Sequence, residues 1–129
     1  MNPYFNRITV MGNLGKTPEL KYLPDETAIT TLNIAYNERY TDKQGTPQQR
    51  TEWFSAVLYG KQAEIVCHLC RTGNTVQVHG KIRSRHYTDK HEQERTVWEI
   101  IADSVQIISA SADNKTEPET ESVTELPTN

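Results

Sequence analysis

Apolar residues in this chain mostly alternate with polar ones, and only one segment carries a helical stripe. From Phe5 to Met11, Ile8 and Val10 fall on one parity and Arg7, Thr9 and Met11 on the other, which predicts a first strand. Gly12-Asn13-Leu14-Gly15 then breaks it as a turn or bulge would. Lys16 to Asp25 contains Pro18 and Pro24 and reads as loop, with Glu19 to Tyr22 a short extended piece. Thr27 to Tyr36 is a second strand, with Ala28, Thr30, Leu32, Ile34 and Tyr36 on one face. Asn37 to Arg50 is a polar, hairpin-like excursion with Gly45-Thr46-Pro47 at its tip, and Thr51 to Tyr59 is the third strand. Gly60 to Thr72 is helical: Ala63, Val66 and Cys70 form a stripe flanked by Ile65 and Leu69, and Gly73 stands where a C-terminal cap belongs. Asn74 to Tyr87 is a long fourth strand bent near Gly80, Thr88 to Glu94 a polar loop, and Arg95 to Ile108 the fifth strand.

The fifth strand has apolar residues on both parities: Val97, Ile101, Val105 and Ile107 on one, Trp98, Ile100 and Ala102 on the other. One face is therefore expected to pack on the core and the other to meet a second subunit or the ligand. After Ser109 the composition shifts to Ser, Thr, Glu, Asp and Pro, so residues 110–129 are expected to form a disordered tail on a domain of residues 1–109. No repeats appear. Three strands, a helix and two strands fit several small α+β folds. They also fit an all-β five-stranded Greek-key barrel with a helix between strands three and four, the OB-fold.

Length and charge narrow the function. With 129 residues the chain has room for one domain and a tail. No apolar run is long enough to span a bilayer, and Met1 to Arg7 lacks the charged-then-apolar layout of a secretory signal, so a cytoplasmic, nucleoid-associated protein is expected. The net charge of -3 is unevenly spread. The tail has one cation (Lys115) and five acids, leaving 13 Lys and Arg against 12 Asp and Glu in the body, so the tail is -4 and the body +1. A near-neutral body can still hold a cationic groove, because polyanion binding depends on local contacts. Cys67 and Cys70 are the only cysteines; without a second C-x-x-C or an H-x-x-x-H they predict no metal site, and late in a helical run they read as reduced structural thiols.

The informative chemistry lies between Arg50 and Tyr87. Trp53 and Tyr59 share a parity, and Lys81, Arg83, Arg85 and Tyr87 alternate with period two. Flat rings beside a line of positive charge suit single-stranded nucleic acid. The competing reading makes the rings core residues and the cations a solvated strand face. Tyr40, among charges on the excursion, reads equally as a rim residue or a third stacking platform.

The chain resembles the bacterial-type single-stranded DNA-binding protein family over residues 6–108. The resemblance is carried by Asn6-Arg7, Val10-Met11-Gly12-Asn13-Leu14-Gly15, Pro18-Glu19-Leu20-Lys21-Tyr22, Thr51-Glu52-Trp53, Leu58-Tyr59-Gly60-Lys61-Gln62-Ala63-Glu64, Gly73, Val76 to Gly80, and Arg83-Ser84-Arg85-His86-Tyr87-Thr88-Asp89. It implies an OB-fold and sequence-tolerant binding of single-stranded DNA in replication, recombination and repair. It also implies a homo-oligomer, with a tetramer favoured; the residues themselves show no carboxylate cluster with metal-ligand spacing and no nucleophile–base pair, so neither an enzyme nor a cofactor is expected. It places stacking aromatics at Tyr40, Trp53, Tyr59 and Tyr87, with Tyr40 and Tyr87 standing where tryptophan is common, and phosphate contacts at Arg7, Lys21, Lys43, Lys61, Arg71, Arg83 and Arg85.

The chain departs from the family pattern at several points. Phe54 stands where histidine is frequent, at a position tied to subunit contacts, and Ser55 replaces a frequent cation. Trp98 stands where smaller residues are usual, which makes it, with Phe54, a candidate interface position or a fifth platform. The end, Glu125-Leu126-Pro127-Thr128-Asn129, lacks the family's usual acidic cluster closed by Ile-Pro-Phe. Recruitment of replication and repair enzymes by that route is therefore not expected, and a plasmid, phage or mobile-element relative is. The rival class is an OB-fold protein-interaction module of a replication or conjugation assembly with weak DNA contact.

Overall fold

Strict alternation produces five long strands and closes them on one core. The computed structural model describes residues 3–109. In chain order the elements are β1 (Ile8–Leu14), β2 (Lys21–Tyr22), β3 (Ala28–Thr41), β4 (Pro47–Tyr59), α1 (Lys61–Leu69), β5 (Thr75–Thr88) and β6 (Glu94–Ser109). The sheet order is β1-β5-β6-β4-β3-β2, and β1 also pairs with β3 through Asn13↔Ala35 and Leu14↔Ile34, which closes a barrel. All pairs are antiparallel except β4 with β6, which meet in parallel at Ala56↔Ile100 and Val57↔Ile101. This is the all-β, five-strand barrel with one helix after the third long strand that the sequence predicts; the two-residue β2 only edges β3. The expected tail lies outside the described residues.

The core is filled by the inward parity of each strand: Leu14, Leu32, Ile34, Leu58, Val76, Val78, Ile100 and Val105. Ala63, Val66 and Cys70 of the helical segment join it. The helix is shorter than predicted, ending at Leu69. Gly73 adopts a φ of 94° in the turn into β5, where its N–H donates to Leu14 O, so its left-handed backbone serves that turn and not a helix cap.

The pairing corrects two further expectations and extends a third. Gly12 and Asn13 do not break β1 but lie inside it, because β1 must pass close to β3: a Cβ on Gly12 would fall 2.3 Å from Ala35 O. The hairpin-like excursion after Asn37 is a paired arm that extends both flanking strands beyond their expected ends, out to Thr41↔Pro47. The two faces of β6 are not both apolar along its length. A register shift opposite His79 and Gly80 leaves Asp103 extra, so Ile100 and Ala102 point inward before it and Val105 and Ile107 after it. Val97 and Ile101 remain as half-buried outward apolar residues, and Ile108, left extra by the second register shift, is 43% exposed.

The β3–β4 and β5–β6 hairpins project beyond the barrel and end in turns of the same construction. In Asp42-Lys43-Gln44-Gly45-Thr46, the Asp42 carboxylate accepts the N–H groups of Gln44 and Thr46. In Asp89-Lys90-His91-Glu92-Gln93, Asp89 accepts those of His91 and Gln93 and also the Arg95 guanidinium at 2.8 Å. That arginine, then the Gln93 N–H, holds the Asp89 carboxyl below the ordinary range.

Two measurements check this packing. Gly12→Ala forces a methyl against a carbonyl that cannot yield, so its denaturation midpoint should fall by the equivalent of about 1–3 kcal/mol with an unchanged slope; wild-type stability would show that β1 has room there. Both thiols are free, and burial pushes that of Cys70 up to about 12. A thiol-specific reagent at mildly alkaline pH should therefore label Cys67 alone until the protein unfolds.

Candidate nucleic-acid interface

The outward parity of the barrel collects rings and cations on one continuous surface. On β4 it carries Trp53, Ser55, Val57 and Tyr59, and on β5 it carries Lys81, Arg83, Arg85 and Tyr87. These strands are joined through β6, since Val57 pairs with Ile101 and Ile101 with Lys81. Thr31, Val57, Ile101 and Lys81 thus form one row across four strands. Moving the same way from that row leads to Trp53 on β4 and to Arg83 and Arg85 on β5. Tyr59 lies at the other end of β4, about 20 Å from Trp53 at strand spacing. Lys21 and Ile29 continue its row on β2 and β3.

The rings are exposed, so the reading that buries them is excluded. Trp53 is 61% accessible, Tyr59 41% and Tyr87 45%. Trp53 is nevertheless seated. Its ring lies over Gly15, where a Cβ would come within 2.5 Å of Trp53 Cζ3, and Gly15 is fixed by its N–H to Asn33 O. Tyr87 has the Arg85 guanidinium 5.6 Å from its ring centre, and Arg85 Nε donates to Glu99 Oε1 at 3.2 Å.

The remaining sequence-predicted residues divide. Arg7 directly precedes the pair Ile8↔Gly80 on the outward parity, and Asn6 binds both backbone groups of Ile82, so Arg7 joins the Lys81–Arg83 cluster. Lys61 opens α1 two residues after Tyr59. Lys43 sits in the turn of the β3–β4 arm. Tyr40 is on that arm too, but on the inward parity with Glu38 and Arg50, so it faces the side of the ribbon opposite Trp53. There it has Arg50 at 4.9 Å over its ring and borders a cleft of about 480 Å³ lined by Arg39, Thr41 and Pro47 to Gln49. Arg71 lies past the helix, its backbone N–H held by Asn74, one loop from Gly15. Phe54 packs edge-on against Tyr36 at 6.5 Å, at the rim of the core. Trp98, 63% accessible, is on the inward parity of β6 beyond the barrel, opposite Ser84.

Two cations were missed by the carry-over from family positions. Lys81 ends the outward row on β5, and its period-two alternation with Arg83 and Arg85 was the signal. Lys90 is the counterpart of Lys43 in the second turn, announced by the repeated Asp-Lys pair. Among the described residues no three His, Cys, Asp or Glu side chains gather as a metal site would need, and no helix is long and apolar enough to cross a membrane.

Known proteins resemble this chain in sequence and in fold. The Single-strand binding protein family matches residues 5–108. Single-stranded DNA-binding protein 1 of Xylella fastidiosa is 36% identical over 84% of this chain and 81% of its own length. The single-stranded DNA-binding protein of Neisseria meningitidis serogroup B is 33% identical over 84% of this chain, which spans 63% of that relative. Among solved structures, a Plasmodium falciparum SSB complex with ssDNA superposes with a TM-score of 0.74 at 24% identity, covering 84% of this chain and 97% of that one. The single-stranded DNA binding protein from Thermus aquaticus gives 0.71 at 24% identity over 83% of this chain and 54% of that one. At that identity the two structures bear on the fold alone, and they share it.

The seat of Trp53 can be tested directly, since the chain has two tryptophans. In a Trp98→Phe background, Gly15→Ala should lift the Trp53 ring and shift its emission to the red. Unchanged emission would show that the ring does not rest on Gly15.

Proposed function

The chain belongs to the single-strand binding protein family, and from that premise we propose that the outward face of β4, β6 and β5 binds single-stranded DNA without reading its sequence. The observation that carries this is the placement of Trp53 and Tyr59 on the same face as Lys81, Arg83, Arg85 and Tyr87. Bases leave their own stack and restack on Trp53, Tyr59 and Tyr87, and on Tyr40 where the strand follows the β3–β4 arm. Each such contact contributes about 1–3 kcal/mol. The flanking cations Arg7, Lys21, Lys43, Lys61, Lys81, Arg83 and Arg85 meet phosphates and release counterions, with Arg71 at the margin. Duplex DNA is disfavoured because its bases are already stacked and paired. The action is binding, not catalysis, and serves replication, recombination and repair in the cytoplasm.

The working assembly in this reading is a homotetramer, with Phe54 and the exposed Trp98 at or near subunit contacts. Residues 1–109 form the binding domain. The acidic tail, residues 110–129, competes with DNA for the cationic face.

Intrinsic fluorescence titrated with oligo-dT, against duplex of equal length, tests the proposal. Single strands should quench saturably and duplex should not. Trp53→Ala should weaken binding about 5- to 150-fold while the fold is kept, the span that corresponds to one stacked base. Lys81→Ala should lower the slope of log affinity against log salt by about 0.7. A folded protein that shows no quenching would instead be an interaction module.

A further inference from the structure

The two arms carry the same three-residue arrangement, built in two different ways. On the β3–β4 arm Glu38 and Arg50 are cross-strand partners, and Arg50 Nε donates to Glu38 Oε1 at 3.2 Å. The Arg50 guanidinium carbon stands 4.9 Å from the centre of the Tyr40 ring. On the β5–β6 arm Arg85 and Tyr87 are two residues apart on one strand and Glu99 is on its neighbour. Arg85 Nε again donates to a glutamate Oε1 at 3.2 Å, and its guanidinium carbon is 5.6 Å from the Tyr87 ring centre. The strands that supply the residues differ, yet the contacts are the same.

Stability does not explain the repetition. Both arginine side chains are more than half exposed; Glu38 is partly exposed while Glu99 is only 11% exposed, and an ion pair with its cation open to water contributes modestly. A carboxylate beside a path for DNA also repels phosphate, so two of them next to two stacking rings need another reason. Both carboxylates hold the arginine by Nε. A guanidinium fixed in that way keeps its Nη edge, a flat pair of donors that matches two phosphate oxygens. The ring beneath it supports the plane.

We propose that each triad is a nucleotide seat. A base stacks on Tyr40 or Tyr87, the adjoining phosphate takes the Nη edge of Arg50 or Arg85, and Glu38 and Glu99 are positioning residues that hold the guanidinium over the ring. This rests on the single-strand-binding reading above, and it gives roles to Arg50, Glu38 and Glu99, which that reading leaves without one.

The sign of the effect of neutralising each acid tests it. Oligo-dT affinity and its salt slope are measured on the full chain for wild type, Glu38→Gln, Glu99→Gln, Arg50→Lys and, as control, Glu52→Gln. Glu52 lies on the same side of β4 as Arg50 and makes no ion pair among the described residues. Removing charge alone tightens binding in all three glutamine variants. The seats require that Glu52→Gln tighten while Glu38→Gln and Glu99→Gln weaken binding by roughly two- to fivefold, the scale of an exposed ion pair. They also require that Arg50→Lys weaken binding despite its retained charge, and that Glu38→Gln add no further loss on that background. Tightening of Glu38→Gln and Glu99→Gln to match the control, or full affinity in Arg50→Lys, overturns the seats while wild type still binds. A wild-type chain that does not bind oligo-dT overturns the binding reading and the seats with it.

Discussion

Closure of the barrel by β1 is the constraint on which the rest depends. β1 pairs with β5 along most of its length and with β3 at its end, and the second pairing demands a backbone approach that only a residue without Cβ allows at position 12. Once the sheet is closed, every residue of the five long strands points either inward or outward, and a one-residue slip would invert a whole strand. The outward row Thr31–Val57–Ile101–Lys81 exists because that register is fixed. Stacking rings and cations share a surface through backbone pairing alone, with no loop needed to bring them together.

Such a surface has a cost. Exposed aromatic rings invite association, and contiguous apolar patches are uncommon on soluble proteins. Here the rings are separated and are held in two ways. Trp53 lies on the glycine-lined end of β1, whereas Tyr40 and Tyr87 lie under arginines that are themselves held by glutamates. The rings are kept in place without being buried, which is what a stacking platform requires.

The five long strands, the helix and their order were legible because alternation and the Ala63–Val66–Cys70 stripe are local signals. So was the shared face of Trp53 and Tyr59, since parity survives as long as a strand is unbroken. What was not legible depends on pairing partners. The Asp103 bulge is invisible along β6 itself; only the count of residues on β5 reveals it, and it turns an apparently two-faced strand into an ordinary one. Gly12 read as a breaker because nothing in the local sequence tells of Ala35 on the far strand. Residues 37–50 read as hairpin-like but not as continuations of the flanking strands, because an arm beyond the barrel has no core to face, so the hydrophobic period that marks a strand is lost while its hydrogen bonds remain. For the same reason the opposite facing of Tyr40 and Trp53 followed from the ladder and not from the residues.

The different supports of the rings set an order of response to salt. Contact with the Gly15 backbone is a matter of packing and is indifferent to ionic strength, so Trp53 stays presented under conditions that screen the arms. The arm tyrosines lie beside ion pairs that are more than half exposed on the arginine side, and screening loosens those pairs. The barrel therefore carries the rigid part of the surface and the arms its adjustable part. In the proposed binding mode, a strand stacked on Trp53 gains or loses the arms without leaving the barrel, because the two kinds of ring are held by different physics.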